Sequence, residues 1–318
     1  MTATDWAIAT YGLTKQFDRH LAVNQVEFTV GPGEVYGLIG PNGAGKTTLI
    51  RMLATVETPS AGEIYIGGDR LRPGQTNREI KRRLGYLPDD YPLYEDLTVW
   101  NYLEYFARLY GLRSPQRQRR LYELLELVQL GSKRHSNIAT LSRGMKQRLS
   151  LARAILHEPS ILLLDEPVSG LDPLARQQFR QIIRVLQEAG LTVLISSHVL
   201  SDLAELCTTI GIMELGCLVE STSLAALYQR WARPYLIIGA LQGDRAALEA
   251  ELGHCPQVQG WEPLESGRAL RVAFTGDEAA SSNLLRALVE AGVSIVQFRY
   301  EREDLEDIFL KLGHQQVS

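Results

Sequence analysis

The chain has 318 residues, 45% of them hydrophobic and 22% charged, with a formal net charge of -4. Such values describe an ordinary folded protein of about two domains and exclude one that holds nucleic acid by bulk positive charge. The three cysteines (Cys207, Cys217 and Cys255) have neither paired metal-ligand spacing nor a disulfide framework, the N-terminus has no basic region followed by an apolar run, and the longest apolar stretches, Ile161–Leu164 and 191–195, are far too short to span a bilayer. A reducing, cytosolic compartment is expected, and any action at a membrane would need another chain to provide the spans.

Taken in order, the elements read as α/β. Residues 7–13 and 21–30 have strand character, and Gly31-Pro32-Gly33 is a turn. Residues 34–39 form a short apolar strand that runs into a glycine-rich loop; a helix is expected over 46–54 and a strand over 63–66. Residues 98–110 are rich in aromatics and end at Gly111. Ser114-Pro115 is expected to open the next helix, serine as cap and proline at the first helical position. There Leu121, Leu124, Leu125 and Val128 repeat at helical spacing until Gly131. The result is a mostly helical insertion, about residues 90–158, between two halves of an α/β core. A helix over 143–157, the buried strand Ile161–Leu164, a helix opened by Asp172-Pro173 and a strand over 191–195 resume that core. From residue 229 the pattern changes: strands over 235–240, 270–275 and 294–300 alternate with helices over 244–252, 277–291 and 302–312. That order is compatible with a small α+β domain of ferredoxin-like type. The expected division is therefore 1–228 and 229–318.

Two motifs carry chemistry. Gly40-Pro41-Asn42-Gly43-Ala44-Gly45-Lys46-Thr47, followed by Thr48, matches the phosphate-loop pattern and lies between a strand and a helix. Glycines let successive backbone N–H groups converge on phosphate oxygens, and the helix N-terminus adds partial positive charge. Lys46 is placed to reach the β- and γ-phosphates and Thr47 to hold Mg²⁺. The second motif is Asp165-Glu166, two carboxylates at the end of the apolar run 161–164. Strand C-termini are where α/β proteins place ligand sites. Asp165 suits Mg²⁺ and Glu166 suits a general base acting on water.

Many unrelated nucleotide hydrolases share a phosphate loop. Leu141-Ser142-Arg143-Gly144-Met145-Lys146-Gln147-Arg148 narrows the field, because it resembles the signature of ABC ATPases, usually written LSGGQ. The resemblance spans about residues 7–228 and implies a P-loop NTPase core with antiparallel β and helical subdomains. It implies that Phe17 stacks on adenine, that Ser169-Gly170-Leu171-Asp172 links two active sites, and that His198 contacts the γ-phosphate. It also implies that Ser142 and Gly144 cap the γ-phosphate bound to the opposite subunit, in a homodimer or a heterodimer with a paralogous ATPase that sandwiches two ATP molecules. Read without the resemblance, Phe17 also fits a core position, His198 a hydrogen-bonded structural histidine and Asp172 a plain helix cap.

Three positions depart from the family pattern. Asp89 stands where a glutamine is usual, a charged oxygen in place of a neutral one and a candidate contact to the metal. Arg143 and Met145 replace a glycine and a glutamine of the signature, and Arg143 is expected to face solvent. Residues 91–94 (Tyr91-Pro92-Leu93-Tyr94) and the aromatics Trp100, Tyr102, Tyr105 and Phe106 fall where ABC proteins dock a membrane subunit, although helical spacing alone also marks a core. Arg117-Gln118-Arg119-Arg120 reads as a solvated helix face.

Residues 304–312, with Leu305, Ile308, Phe309 and Leu312 at helical spacing, resemble the tail of ATPases from ABC-2-type exporters. The implied activity is ATP hydrolysis that energises a separate transmembrane permease subunit, with the chain peripheral at the cytoplasmic face of the cell membrane. A soluble ABC protein acting on ribosome or DNA is the competing class. It would carry two fused ATPase halves or a long coiled-coil insertion; this chain has one phosphate loop, a short insertion and a net acidic charge, so no nucleic-acid partner is expected.

Overall fold

The computed structural model describes residues 6–315 except Pro73, Gln75, Thr76, Tyr91, Gln242 and residues 265–268, and leaves out the side chains of Leu310 and residues 312–315. Two compact units emerge, Met1–Leu224 and Ala225–Ser318.

The first unit runs β1 (Ile8–Phe17), β2 (His20–Val30), β3 (Val35–Ile39), α1 (Lys46–Leu53), β4 (Ala61–Ile66), β5 (Asp69–Arg70), α2 (Arg78–Arg83), β6 (Leu84–Leu87) and α3 (Val99–Leu109). It continues with α4 (Gln116–Leu127), α5 (Arg143–Ala154), β7 (Ile161–Leu164), α6 (Pro173–Glu188), β8 (Thr192–Ser197), α7 (Leu200–Leu206), β9 (Thr209–Glu214) and β10 (Cys217–Ser223). One sheet is antiparallel, in the order β2-β1-β4-β5. The other has the order β10-β9-β3-β8-β7-β6, in which β9, β3, β8, β7 and β6 are parallel and β10 closes the edge as a hairpin.

Every residue of β3, β7 and β8 is buried. This is what a parallel sheet requires, because its crossover connections cover both faces. The pairings Ile39↔Ser197, Leu164↔Ile195 and Leu87↔Leu164 bring the C-terminal ends of β3, β8, β7 and β6 into one row. The loops that follow those four strands therefore start side by side. Between β6 and β7, α3 packs against α4 and α5 to form the helical portion.

The second unit begins in α8 (Leu224–Trp231) and continues through β11 (Pro234–Ala240), α9 (Arg245–His254), β12 (Val258–Pro263), β13 (Ala269–Phe274), α10 (Glu278–Glu290), β14 (Ile295–Arg302) and α11 (Leu305–Gln315). Its antiparallel sheet has the order β12-β13-β11-β14. Leu236, Ile238, Leu270, Val272 and Phe274 of the sheet pack with Leu248, Leu252, Leu284 and Leu288 of α9 and α10.

Several elements differ from the sequence expectation. Ser114 caps nothing: the N-cap position of α4 is Pro115, with no side-chain hydrogen bond, and the helix starts at Gln116. The basic run is not a uniformly solvated face. Arg117 lies 3.4 Å from Glu104, Arg120 donates to the carbonyls of Ile155 and Leu156, and both side chains are largely covered, whereas Arg119 stays in solvent. The strands β5, β6, β9, β10 and β12 and the helices α2, α7 and α8 are additions. They are short, and the apolar run of β9 contains Gly211, where Tyr36 Oη packs so closely that a Cβ would lie 2.2 Å from it.

Candidate functional site

The site is assembled where β3, β8, β7 and β6 end. After β3 the chain turns through the phosphate loop into α1. Two of its glycines are sterically required: a Cβ on Gly40 would lie 2.3 Å from the Met213 carbonyl oxygen, and one on Gly45 2.4 Å from that of Ala22. Gly45 also has φ +99°, a left-handed conformation that costs other residues energy. The Lys46 side chain is buried along the loop, its Nζ donating to the carbonyls of Gly40 at 2.7 Å and Pro41 at 3.2 Å.

Next to this loop, β7 delivers Asp165. The carboxylate is buried, and its Oδ1 accepts from Thr47 Oγ1 at 3.1 Å and from Ser196 Oγ at 2.8 Å. Its Oδ2 is buried without a hydrogen-bond partner. Burial raises the pKa of Asp165 above the usual carboxylate range; the Ser196 and Thr47 hydrogen bonds oppose this, and the charges of Asp89 and Glu166 add to the rise. Ser196 also accepts from the backbone N–H of Glu166 at 3.0 Å, so one hydroxyl fixes both carboxylate residues.

Glu166 has φ +48°, a left-handed turn straight after the strand. Its Oε1 lies 3.6 Å from Lys46 Nζ. Its Oε2 lies 2.6 Å from His198 Nδ1 and accepts from the His198 backbone N–H at 3.3 Å. Because an ionised carboxylate only accepts, the short contact places the imidazole proton on Nδ1. The imidazole is about half exposed, so His198 is not a core histidine.

A cleft of about 450 Å³ opens over these groups. Phe17, Asn42, Gly43, Ala44, Gly45, Lys46, Thr47, Thr48, Asp89, Glu166 and His198 line it, while Gly40, Pro41 and Asp165 are not part of that lining but touch Lys46 or Thr47. Phe17 is 41% exposed, which removes the core reading of that ring.

Ser142, Gly144 and Asp172 are not brought into the cleft of their own chain. Ser142 caps α5 by accepting from Met145 N–H at 3.3 Å, and Asp172 caps α6 by accepting from Ala175 N–H at 2.9 Å. Gly144 sits against α6, where a Cβ would lie 2.7 Å from Ala175 Cβ. Arg143 is exposed as expected and donates to the Ser169 carbonyl at 3.1 Å, which ties the α5 N-terminus to the rim of the cleft.

Sequence reasoning missed Ser196 and His20 as neighbours of the site, whereas Ser169, which the resemblance assigned to a loop linking two sites, also lines the cleft of its own chain. Ser196-Ser197 stands out as a polar pair closing an apolar strand before His198, and that contrast was the available signal. Nothing local in the sequence marks His20.

Residues 23–169 match the family model described as ABC transporter. Over 311 residues the chain is 35% identical to the ABC transporter ATP-binding protein YcbN of Bacillus subtilis (strain 168), covering 96% of this chain and 97% of that protein. Over 312 residues it is 34% identical to the Nod factor export ATP-binding protein I of Rhizobium sp. (strain N33), with 98% of each chain covered. A solved structure of the ATP binding subunit of an ABC transporter superposes with a TM-score of 0.63 and 32% identity, covering 70% of this chain and 92% of that one. The chain belongs to the ABC transporter ATP-binding proteins. It is an ATPase that energises transport through a separate membrane-spanning subunit, and no helix among the described residues is long and apolar enough to cross a membrane itself.

Ser196→Ala removes a hydrogen bond to a buried carboxylate, an interaction worth about 1.5–3 kcal/mol. The ATPase rate of that variant is expected to fall at least about tenfold, read as kcat at saturating ATP; an unchanged kcat would show that Asp165 needs no such support.

Proposed function

We propose that this chain is the motor of an exporter and works as a pair of ATPase subunits at the cytoplasmic face of the membrane. The observation that carries the catalytic part is the placement of Glu166, held between Lys46 and His198 over the phosphate loop. In this reading the phosphates lie along Gly40 to Thr48, and adenine stacks on the exposed ring of Phe17. Glu166 orients a water molecule toward the γ-phosphate and accepts its proton. His198 holds that carboxylate and faces the same phosphate.

The donor set fits Mg²⁺. Thr47 offers a hydroxyl, Asp165 an unpartnered buried oxygen and Asp89 a further carboxylate at the cleft, all hard oxygen donors. When bound, the ion neutralises negative charge on the β- and γ-phosphate oxygens. Thr47 and Asp165 would hold it, with Asp89 in the place of the usual neutral amide.

The exposed positions of Ser142 and Asp172 fit contacts made to a second subunit, either a second copy or a paralogous ATPase. The helix N-terminus behind Ser142 and Gly144 would then face the γ-phosphate held by the partner. Closure of two such subunits and reopening after hydrolysis would be passed to the permease through Asp89 and the aromatic cluster that follows. There Tyr94 and Tyr105 are exposed while Tyr102 is core, and Tyr91 lies outside the described residues. Export is supported by the likeness to the Nod factor export protein over nearly the whole chain. The β–α–β–β–α–β order of the second unit supports a ferredoxin-like accessory domain.

Glu166→Gln is expected to bind ATP, lose turnover by at least about a thousandfold and accumulate as an ATP-bound pair in gel filtration; substantial remaining turnover means the base is another group. Affinity purification of the tagged chain from gently solubilised native membranes is expected to bring down a polytopic membrane protein in equal amount. Recovery with ribosomes or DNA in its place would move the partner assignment while leaving the ATPase intact.

A further inference from the structure

Lys15 and Phe17 are two residues apart on β1, a spacing that puts side chains on one side of a strand. Lys15 Nζ lies over the Phe17 ring, 4.6 Å from its centre. The ammonium is fixed from behind: it donates to Glu57 Oε1 at 2.7 Å and to the Thr58 carbonyl at 2.8 Å. Only 12% of the Lys15 side chain is exposed. The Phe17 ring, beside the β1–β2 turn and on the wall of the phosphate-loop cleft, thus has one face closed by an immobilised cation. Its exposed surface lies elsewhere on the ring.

An exposed phenylalanine near a hairpin tip would otherwise exchange between rotamers and lose that freedom when a base stacks on it. A cation over one face holds the ring plane and leaves the opposite face for a flat ligand. We propose that Lys15, anchored by Glu57 and Thr58, is a positioning residue for nucleotide binding that clamps one face of Phe17 so that the other is presented to the base. This rests on the reading of Phe17 as the stacking residue. Lys15 itself touches neither base nor phosphate; its effect passes through the ring.

The test compares KM for ATP with the inhibition constant of tripolyphosphate, which has phosphates and no base, on the full chain. Lys15→Met is expected to raise KM for ATP about threefold, in line with one lost cation–π contact, with little change in kcat or in tripolyphosphate inhibition. Lys15→Arg, which can keep a cation over the ring, is expected to restore KM. Phe17→Ala is the control. If Phe17→Ala raises KM and Lys15→Met does not, the clamp is wrong and the stacking reading stands. If Lys15→Met weakens tripolyphosphate by the same factor as ATP, the lysine acts as a general charge and the proposal is overturned. If Phe17→Ala itself changes nothing, the stacking reading falls and the clamp with it. Should Lys15→Met fail to fold, Glu57→Gln keeps the lysine charge and loosens its anchor. A KM rise without a change in tripolyphosphate inhibition is then expected, and an unchanged KM rejects the clamp.

Discussion

Four buried parallel strands that end in a row are the constraint on which the site depends. Once β3, β8, β7 and β6 pair in register, whatever follows each strand must emerge at the same edge. The phosphate loop follows β3, Asp165-Glu166 follows β7, His198 follows β8 and Asp89 follows β6. Residues separated by more than a hundred positions thus come within hydrogen-bond reach, as in the contact from Thr47 to Asp165. The apolar character of those strands has two consequences at once. It holds the sheet together, and it supplies the low-dielectric floor that makes each polar group at the edge count for more.

On that floor the polar groups are arranged so that each has a limited set of partners. Asp165 is steadied by two hydroxyls on one oxygen while the other is left unbonded, the oxygen that the proposed function gives to Mg²⁺. Glu166 is held by a lysine on one oxygen and a histidine on the other. The two adjacent carboxylates therefore sit in different surroundings, one enclosed and one at the cleft, and different surroundings are how neighbouring acids take different roles.

Contiguous chemistry was legible in the sequence and assembled chemistry was not. The phosphate loop and the acid pair each occupy one short run flanked by apolar residues, so spacing alone located them. Ser196 carries as much of the geometry as Thr47 but lies 31 residues from Asp165, and only strand pairing reveals their contact. The same holds for Lys15, whose anchor Glu57 is 42 residues away. Short strands such as β6, with four residues, give too few positions for periodicity to register. At α4 the sequence pointed to Ser114 as the cap because serine before proline is a good helix start in isolation; in the chain the helix begins one residue later than that reading, uncapped by a side chain.

The left-handed turn at Glu166 carries a consequence of a different kind. A residue with a Cβ held there costs about 1–2 kcal/mol relative to glycine, so the backbone at this point would be better served by the residue that carries no acid. With Glu166 proposed as the base, folding and turnover pull in opposite directions at a single position. On that reading, selection for thermal stability alone would drift toward proteins that fold well and hydrolyse ATP poorly.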